Sequence, residues 1–476
     1  MIAACSASKI AGWWSGQAAW RCSRATKLQN TRPLISILAN NNNSAYCVNR
    51  QCSKRSNIVY NWVARYSEVV VDDNKMDVNS NETESGGGHL TLTRPYVDKQ
   101  GAVRLAHSLF GLRISDFSKV KEFISYDDRN FYLKGVLPSQ ESKEGNSSED
   151  EFVLKILNHV DSQNISYINA QNALLLYLKE RGFVCPVPMK SLSGELTMEC
   201  QLSSYGLSGS EENSKEQGLP PRINAVRLLS YMPGKLLKDV RCPKELLFSL
   251  GRYTAKINKV LKSFQHAGLS DLVKQEWDLA QLNILERYIS VASHDSSELE
   301  LLQHVYKKFV NGVIPKLGDL DKQVIHGDLN DKNILVLPNR RGKRHTISFL
   351  DYGDTSDSYR VFEVAICMMY MIMLRVEQGD SHEEAIRAAG HVLRGYQSVY
   401  SLSPSELDLL YWSVAARFFQ SIVIGMYKQS LEPENIYLSQ TCQLGLSILS
   451  SYISAPEKEI LNSWLSTDML GPVHFK

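Results

Sequence analysis

Two acidic segments carry the residues best suited to chemistry. The string HGDLNDKNIL occupies residues 326–335, and LDYGD occupies residues 350–354. Asp328 and Asn333 can lie at the two ends of one tight loop, and a short hairpin would return Asp351 beside them. A carboxylate can deprotonate an acceptor hydroxyl, while an Asn and a second carboxylate can hold magnesium, a hard ion that takes oxygen ligands. The set therefore predicts magnesium-dependent phosphoryl transfer from a nucleotide.

A nucleotide phosphate also needs a cation on a rigid strand. Lys155 alternates with apolar neighbours in FVLKI, which indicates a strand. A lone lysine there is usually a solvated edge residue, but the downstream acidic set favours phosphate binding. The turn SYDDRN would then cover the phosphates with backbone N–H groups and polar side chains, including Ser125, Asp128 and Asn130. It has no Gly-x-Gly-x-x-Gly, so alone it would indicate an ordinary hairpin.

The elements that must position these residues change character along the chain. Strands are predicted at 117–124, 130–137, 152–157, 195–201 and 223–229, with helices at 102–110 and 168–181. Apolar periodicity then predicts helices at 243–264, 276–291, 297–315, 361–376, 382–399 and 405–429. A sheet-rich half followed by a helix-rich half predicts an α+β fold of two lobes. We expect a nucleotide-binding lobe at 95–229 and a helical catalytic and substrate lobe at 230–476.

Residues 1–94 form a leader that we expect to be disordered and outside the fold. The first 67 residues contain no Asp or Glu but several Arg, Lys and Ser, as in a mitochondrial transit peptide. The alternative is that translation begins at Met76 and the preceding residues are an upstream extension. We expect a cytoplasmic protein, or a mitochondrial one if the leader is a genuine transit peptide.

The composition argues against several classes of protein. A net charge of +2, with basic and acidic residues interspersed, does not suit nucleic-acid binding. The longest uncharged apolar run, Val364 to Leu374, is too short to span a membrane and indicates a buried helix. The nine Cys include no Cys-x-x-Cys pair, which favours a reduced intracellular protein without a zinc site. The expected partners are a nucleotide and a small molecule; the oligomeric state stays open.

The motifs resemble those of the aminoglycoside phosphotransferase and choline kinase-like superfamily. That resemblance implies a protein-kinase-like fold, with a small antiparallel-sheet lobe carrying one helix and a larger helical lobe. Matched by position, it implies Asp328 as the catalytic base, Asn333 and Asp351 as metal ligands and Lys155 as the phosphate-binding lysine. Gly327 stands where protein kinases have Arg, so a small-molecule acceptor is expected rather than a protein.

Within the superfamily, the segments SYDDRNFYL, VRLLSYMPGK and FLDYGDTSDSYRVFEVAICMMYMI resemble the hydroxylysine kinases, across roughly residues 95–450. That resemblance implies transfer from GTP, with magnesium, to the side-chain hydroxyl of 5-hydroxy-L-lysine in lysine catabolism; ATP remains open as donor. It also implies a hinge over Leu229, Ser230, Tyr231 and Met232 that offers backbone hydrogen bonds to the purine. Alternatives are another amino alcohol or hydroxy amino acid (ethanolamine, choline, homoserine) as acceptor, a protein kinase, or a nucleotide-binding pseudokinase scaffold.

One departure concerns the partner of Lys155. The superfamily commonly has a Glu on the helix after the lysine strand, and Gln171 occupies that place here. An amide can accept a hydrogen bond but lacks the charge attraction. Either Gln171 suffices or the pairing is made elsewhere.

The acceptor needs a cation for its carboxylate and anions for its ammonium groups. Arg417, in the apolar segment WSVAARFFQS, suits bidentate carboxylate binding, with a structural ion pair, for example to Glu363, as the alternative. Asp354 and Glu363 follow the metal ligand and are candidates for the ammonium, although Glu363 also suits a structural role. Trp277 is a candidate wall of the pocket, with core packing as the alternative. For His326 we expect packing and backbone hydrogen bonding rather than proton transfer.

Overall fold

The computed structural model describes residues 34–40, 44–49, 95, 97–123, 125, 128–138, 149–204, 219–269, 276–293, 295–337, 346–431 and 436–466. Within these ranges a sheet-rich part precedes a helix-rich part, as predicted, and the α+β two-lobed class is confirmed.

The largest sheet has eight strands. Its path runs β2, β1, β7, β8, β6, β5, β3, with β4 also pairing with β5. The strands are β1 Leu34–Asn40, β2 Ser44–Asn49, β3 Arg113–Ile114, β4 Lys121–Phe123, β5 Arg129–Val136, β6 Asp150–Ile156, β7 Met198–Ser204 and β8 Leu219–Ser230. All neighbours are antiparallel except β1 and β7. Two small sheets use β9 Lys235–Leu236, β10 Lys322–Ile325, β11 Ile334–Leu337, β12 Thr346–Phe349 and β13 Ser356–Tyr359.

Ten α-helices lie within the described residues. They are α1 Lys99–Phe110, α2 Ile165–Glu180, α3 Lys244–Leu261, α4 Ile289–Ala292, α5 Ser296–Gly312, α6 Arg360–Glu377, α7 His382–Gln397, α8 Pro404–Leu431, α9 Ile436–Ser454 and α10 Glu457–Leu465. Local signals fix several ends: Asp98 caps the start of α1, Gly111 ends it in the left-handed conformation, and Ser381 with Glu384 forms a capping box on α7.

The sheet-rich part and the helix-rich part each have a large hydrophobic core of their own. One lies between α1 and the large sheet and includes Leu105, Phe131 and Leu154, all fully buried. The other fills the helical part and includes almost every residue of the run Val364 to Leu374 in α6, which confirms that this run is a buried helix. Helix α2 contributes Leu174 to the helical core, so it links the sheet to the helices.

Helix α8 is long and rich in apolar residues. Within the described ranges, its segment Pro404–Ser430 is the one helix long and apolar enough to cross a membrane by length and composition, and 83% of that window is buried inside the protein. A core helix meets the same test, and α8 packs against α5, α6 and α9.

Several local predictions were wrong. The stretch 117–124 begins with a 3-10 turn at Phe117–Lys119 before the short β4, and the stretch 276–291 is mostly a kinked 3-10 helix, Leu279–Tyr288. Apolar spacing cannot distinguish these from a strand and an α-helix, because it reports burial and not backbone hydrogen bonding. Helices α9 and α10 were not predicted.

The leader also departs in part from the prediction. Leu34–Asn40 and Ser44–Asn49 form a β-hairpin whose first strand pairs with β7, so these two segments belong to the sheet. A free edge on β7 offers backbone donors and acceptors that another strand can satisfy, whatever its side chains. The remaining residues up to 94 lie outside the described part of the chain.

Candidate active site

Two loops meet where the small sheets end. β10 leads into His326, and it pairs antiparallel with β13, which follows Asp354. The hairpin of β11 and β12 joins the far ends of the same two loops, closed by a 2.8 Å bond from the N–H of Leu350 to the carbonyl of Asn333. The segments 326–333 and 350–355 are therefore held side by side, as the sequence predicted.

Asp328 has a hydrogen-bond donor on each of its carboxylate oxygens. Its Oδ2 accepts from the side-chain Nδ2 of Asn330 and of Asn333, both at 2.7 Å. Its Oδ1 accepts from Nη2 of Arg417 at 2.9 Å. Burial raises the pKa of Asp328 to about 6, against the opposing effect of the Arg417 charge. A carboxylate fixed in orientation, with a pKa close to neutrality, suits a general base.

The guanidinium of Arg417 is fully buried and has four partners. Besides Asp328, it donates to the Trp277 carbonyl at 3.2 Å, to Oε1 of Gln420 at 2.8 Å and to the Tyr370 hydroxyl at 3.2 Å. The rings of Trp277 and Tyr370 lie 4.9 and 5.3 Å from its carbon Cζ. The structure therefore assigns the buried ion pair to Asp328 and not to Glu363. This arrangement also speaks against the predicted contact with an acceptor carboxylate, because the side chain has no solvent-exposed surface.

His326 has the backbone role that we expected. Its Nε2 lies 2.8 Å from the Leu350 carbonyl and therefore carries the proton, while its Nδ1 accepts from the Asp328 N–H at 3.3 Å. Burial lowers the pKa of His326 to about 4, so the ring is neutral near pH 7. A neutral imidazole that is hydrogen-bonded through both ring nitrogens orients the loop and does not transfer a proton.

Glu363 is buried in α6 beneath the catalytic loop. Its Oε1 and Oε2 accept from the backbone N–H groups of His326 and Gly327, at 3.0 and 2.9 Å. The candidate role of Glu363 in binding the acceptor ammonium was therefore wrong, because both of its oxygens hold protein backbone away from solvent.

Replacing Glu363 with Gln should lower the free energy of unfolding by about 1–3 kcal/mol, because the new NH2 group would face a buried N–H donor. Urea unfolding of the purified chain measures this. Glu383→Gln, on the exposed side of α7, is the matched control. An increase in acceptor KM without loss of stability would instead indicate that Glu363 contacts the acceptor.

Gly327 could not be another residue. Its φ is +83°, and a Cβ built on it would lie 2.3 Å from the carbonyl oxygen of Asp354. The close approach brings Asp354 beside the catalytic loop. The carboxylate of Asp354 has no hydrogen-bond partner among the described residues, and burial together with the charge of Asp328 raises its pKa well above the usual value.

Asp351 lies at the end of β12 in a left-handed conformation, with φ of 49°. Such a conformation costs a non-glycine residue of order 1–3 kcal/mol and is concentrated at functional sites. Its side chain is 42% exposed and accepts from Nζ of Lys155 at 2.8 Å. Lys155, Arg227 and His326 lower its pKa despite burial of the site, so the carboxylate is ionised near neutral pH.

The oxygen donors present fit a magnesium ion. Asn333 directs its side-chain nitrogen to Asp328, at the carbonyl and at Oδ2, which leaves its amide oxygen for a cation. Across the described ranges no group of three or more His, Cys, Asp or Glu could hold a metal by itself. Magnesium commonly binds one or two protein carboxylates together with substrate phosphates.

Lys155 lies in the centre of the large sheet, opposite Asn130 on β5 and Arg227 on β8. Its Nζ contacts Oδ1 of Asp351 at 2.8 Å and Oδ2 of Asp128 at 3.0 Å. Burial opposes its charge, but these two carboxylates more than compensate and raise the pKa of Lys155. Lys155 therefore links the sheet to the acidic loops.

The remaining predicted nucleotide contacts are placed unevenly. Asn130 lies opposite Lys155 in the sheet, and its buried Oδ1 has no hydrogen-bond partner in the described part of the chain. Ser125 is half-buried and makes no hydrogen bond with the described residues, and residues 126 and 127 of the predicted turn lie outside the described part of the chain. The carboxylate of Asp128 contacts Lys155 and the N–H of Asn158 at 2.9 Å, which differs from the predicted contact with phosphates.

The hinge has less free backbone than we expected. Leu229 lies in the ladder with β6, the Ser230 N–H donates to Val187, and the Tyr231 N–H donates to Glu151 at 2.9 Å. Of these predicted contacts, Met232 keeps a backbone N–H without a partner among the described residues. The Tyr231 ring stacks on Phe123 of β4, with centroids 6.3 Å apart, and so closes one side of this region.

Sequence reasoning missed Asn330, Tyr370 and Arg227. Asn330 could have been predicted, since it is an Asn two residues after the candidate base in a loop that was already predicted to be functional. Arg227 could also have been predicted, because a cation in the apolar strand AVRLL must find a buried partner. Tyr370 could not, because it lies in an apolar helix where a ring is expected to pack.

Comparison with known proteins identifies the family of this chain. The phosphotransferase enzyme family, APH, matches residues 125–402. Curated relatives include hydroxylysine kinase of Bos taurus, 32% identical over 80% of this chain and 97% of the relative. Hydroxylysine kinase of Danio rerio is 31% identical over 79% of this chain and 97% of the relative.

Solved structures share the fold. An amicoumacin kinase in complex with AMP-PNP and Ca2+ aligns with a TM-score of 0.52 at 16% identity, covering 75% of this chain and 94% of that chain. A microcompartment-associated aminopropanol kinase aligns with a TM-score of 0.50 at 14% identity, covering 75% and 98%.

The two-lobed fold, the two acidic loops held side by side and the contact of Lys155 with Asp351 suit a phosphotransferase, and the comparisons show one that acts on a hydroxyl acceptor and takes its phosphate from a nucleotide. The chain belongs to the phosphotransferase enzyme family APH, and its relatives mark it as hydroxylysine kinase-like. The prediction of an enzyme rather than a scaffold is thereby confirmed.

Proposed function

We propose that this protein transfers the γ-phosphate of GTP, or of ATP, to the side-chain hydroxyl of 5-hydroxy-L-lysine, a step of hydroxylysine catabolism. The similarity to hydroxylysine kinases along nearly their whole length is the observation that carries the proposal. It is supported by a site that holds the candidate base Asp328 beside Asp354, whose carboxylate accepts no hydrogen bond within the described part of the chain.

The chemistry of the acceptor explains why two such carboxylates are needed. In 5-hydroxylysine the carbon next to the hydroxyl carbon bears the ε-ammonium. A hydroxyl placed against Asp328 therefore brings a cation within a few ångströms of the base. Asp354 is an acidic residue next to this point, and a half-buried carboxylate that accepts no hydrogen bond from the described residues gains from binding a cation. We assign the ε-ammonium to Asp354.

The reaction then follows from the positions of the side chains. Asp328 accepts the proton of the acceptor hydroxyl while the hydroxyl oxygen forms a bond to the γ-phosphorus. The bond between that phosphorus and the bridging oxygen breaks, which releases nucleoside diphosphate. Lys155 is placed to hold the phosphates. A magnesium ion held by Asn333 and Asp351 would neutralise the charge that develops on the phosphate oxygens.

An acceptor panel tests the proposal. Purified protein should phosphorylate hydroxylysine with a higher kcat/KM than ethanolamine, choline or homoserine, with GTP and ATP compared as donors and magnesium required. The absence of turnover with hydroxylysine in folded protein, with activity on another member of the panel, would transfer the proposal to that acceptor.

Asp354→Asn should raise the KM for hydroxylysine by about 10- to 200-fold, because loss of one directed charge contact removes roughly 1.5–3 kcal/mol. The same variant should treat 2-amino-5-hydroxyhexanoate, which has the hydroxyl but no ε-amine, like the wild type does. Asp357→Asn, exposed on β13, is the control. Equal losses with both acceptors would contradict a contact with the ε-ammonium.

We also propose a cytoplasmic location, with the mitochondrion as the alternative. Mass spectrometry of the mature N-terminus tests this, since a terminus made by cleavage within the acid-free leader would indicate import, whereas Met76 as the first residue would indicate that translation begins there.

A further inference from the structure

Lys155, the candidate phosphate-binding lysine, is not paired with the helix residue that the superfamily commonly uses. In the place where the superfamily commonly has a Glu, Gln171 points its Nε2 at the Gly353 carbonyl at 3.4 Å, and its buried Oε1 has no hydrogen-bond partner among the described residues. Gln171 makes no contact with Lys155. The carboxylates on Nζ of Lys155 come instead from Asp351 and from Asp128, which immediately precedes β5.

Asp128 is itself fixed on both oxygens. Oδ1 accepts from the backbone N–H of Asn158 at 2.9 Å and Oδ2 binds Nζ of Lys155 at 3.0 Å. Asn158 comes just after the strand that carries Lys155, and its side chain is held in turn by Asp161 at 2.6 Å. The carboxylate is thus tied to the backbone next to the lysine, which defines where Nζ can lie.

A second buried cation makes the position of Asp128 more significant. Arg227 is directly opposite Lys155 on the neighbouring strand and is 3% exposed. Like charges opposite each other in a sheet repel. Two buried cations are balanced by Asp128 and Asp351, so removing either acid leaves a net positive charge in the site.

Of the two acids, Asp351 has another task. As a candidate metal ligand, Asp351 would share its charge with that ion when it is bound, whereas Asp128 holds Nζ of Lys155 through Oδ2 at 3.0 Å and the Asn158 N–H through Oδ1 at 2.9 Å. We propose that Asp128 is the positioning residue for Lys155. Its carboxylate, just before β5, takes the place of the Glu carboxylate that helix α2 lacks. This inference rests on the phosphotransferase activity and not on the identity of the acceptor.

Steady-state kinetics of the full chain test the proposal. Asp128→Asn should lower kcat by about 10- to 100-fold, the effect of misplacing a reacting group by about an ångström. The nucleotide KM should stay within about threefold of the wild type, because the site becomes more positive rather than less. Gln171→Glu in the Asp128→Asn background should recover part of the lost kcat, since it supplies the missing carboxylate from the helix.

Matched variants make the outcome decisive. Asp116→Asn, an exposed acid in the same lobe, should have no effect on kcat. Asp128→Glu keeps the charge but displaces it. If Asp128→Asn does not fold, Asp128→Glu replaces it in the test, and we expect it to lower kcat as well. Acceptor-free nucleotide hydrolysis by the same variants reports on Lys155 even if hydroxylysine is not the acceptor. A raised nucleotide KM with unchanged kcat, or no effect of Asp128→Asn at all, would overturn the proposal.

Discussion

Asp328→Asn is expected to lower kcat by about 10²- to 10⁴-fold, the usual contribution of a positioned general base. The amide cannot accept the proton of the acceptor hydroxyl, and it would turn a donor toward Asn330 or Asn333. Steady-state turnover with hydroxylysine, at saturating nucleotide, measures the loss. The nucleotide Kd should change little, because no nucleotide contact is assigned to Asp328.

Stability must be followed in the same variant. Arg417 is fully buried, and in the Asn form its ion pair with Asp328 becomes a hydrogen bond to an uncharged amide oxygen, so the buried cation loses its counter-charge. A fall in Tm is therefore expected together with the fall in kcat. Asp331→Asn changes an acid three residues further along the same loop and should leave most of the activity. Turnover of Asp328→Asn close to that of the wild type would remove Asp328 from the role of base.

The catalytic loops were predictable because their signals are local. Asp328 and Asn333 are separated by one tight loop, and the two strands β11 and β12 that return the chain to Asp351 have an apolar pattern of their own. Residue type, spacing and hairpin length were therefore sufficient to bring the three together. Lys155 needed one further step, the assumption that the acidic set acts on a nucleotide phosphate, which needs a cation on a rigid strand.

The partners of these residues were not predictable in the same way. Arg417 lies 89 residues from Asp328, and Lys155 lies 196 residues from Asp351. Pattern alone cannot select a partner over such a distance, because every buried charge in the helical lobe is a candidate. The prediction that a buried Arg must have a partner was correct, but the partner suggested, Glu363, was already used by backbone N–H groups.

The second large effect concerns Arg417. Arg417→Met should lower kcat strongly and should cost about 3–5 kcal/mol of folding stability, because it leaves Asp328 as a buried charge with no cation beside it. Arg387→Met, an exposed arginine paired with Glu383, is the control for the loss of one positive charge. Turnover and urea unfolding measured on the same preparations separate the two effects.

The pH profile distinguishes this role from binding of the acceptor carboxylate. Asp328 acts as a base only when ionised, and with a pKa of about 6 the wild-type kcat should fall as pH decreases through that value. Arg417 lowers the pKa of Asp328, so its removal should move the acid limb to higher pH. If Arg417 bound the acceptor carboxylate instead, the acid limb would stay in place and the acceptor KM would rise. A buried arginine that orients and ionises the base predicts the first pattern, with the acceptor KM little changed at alkaline pH.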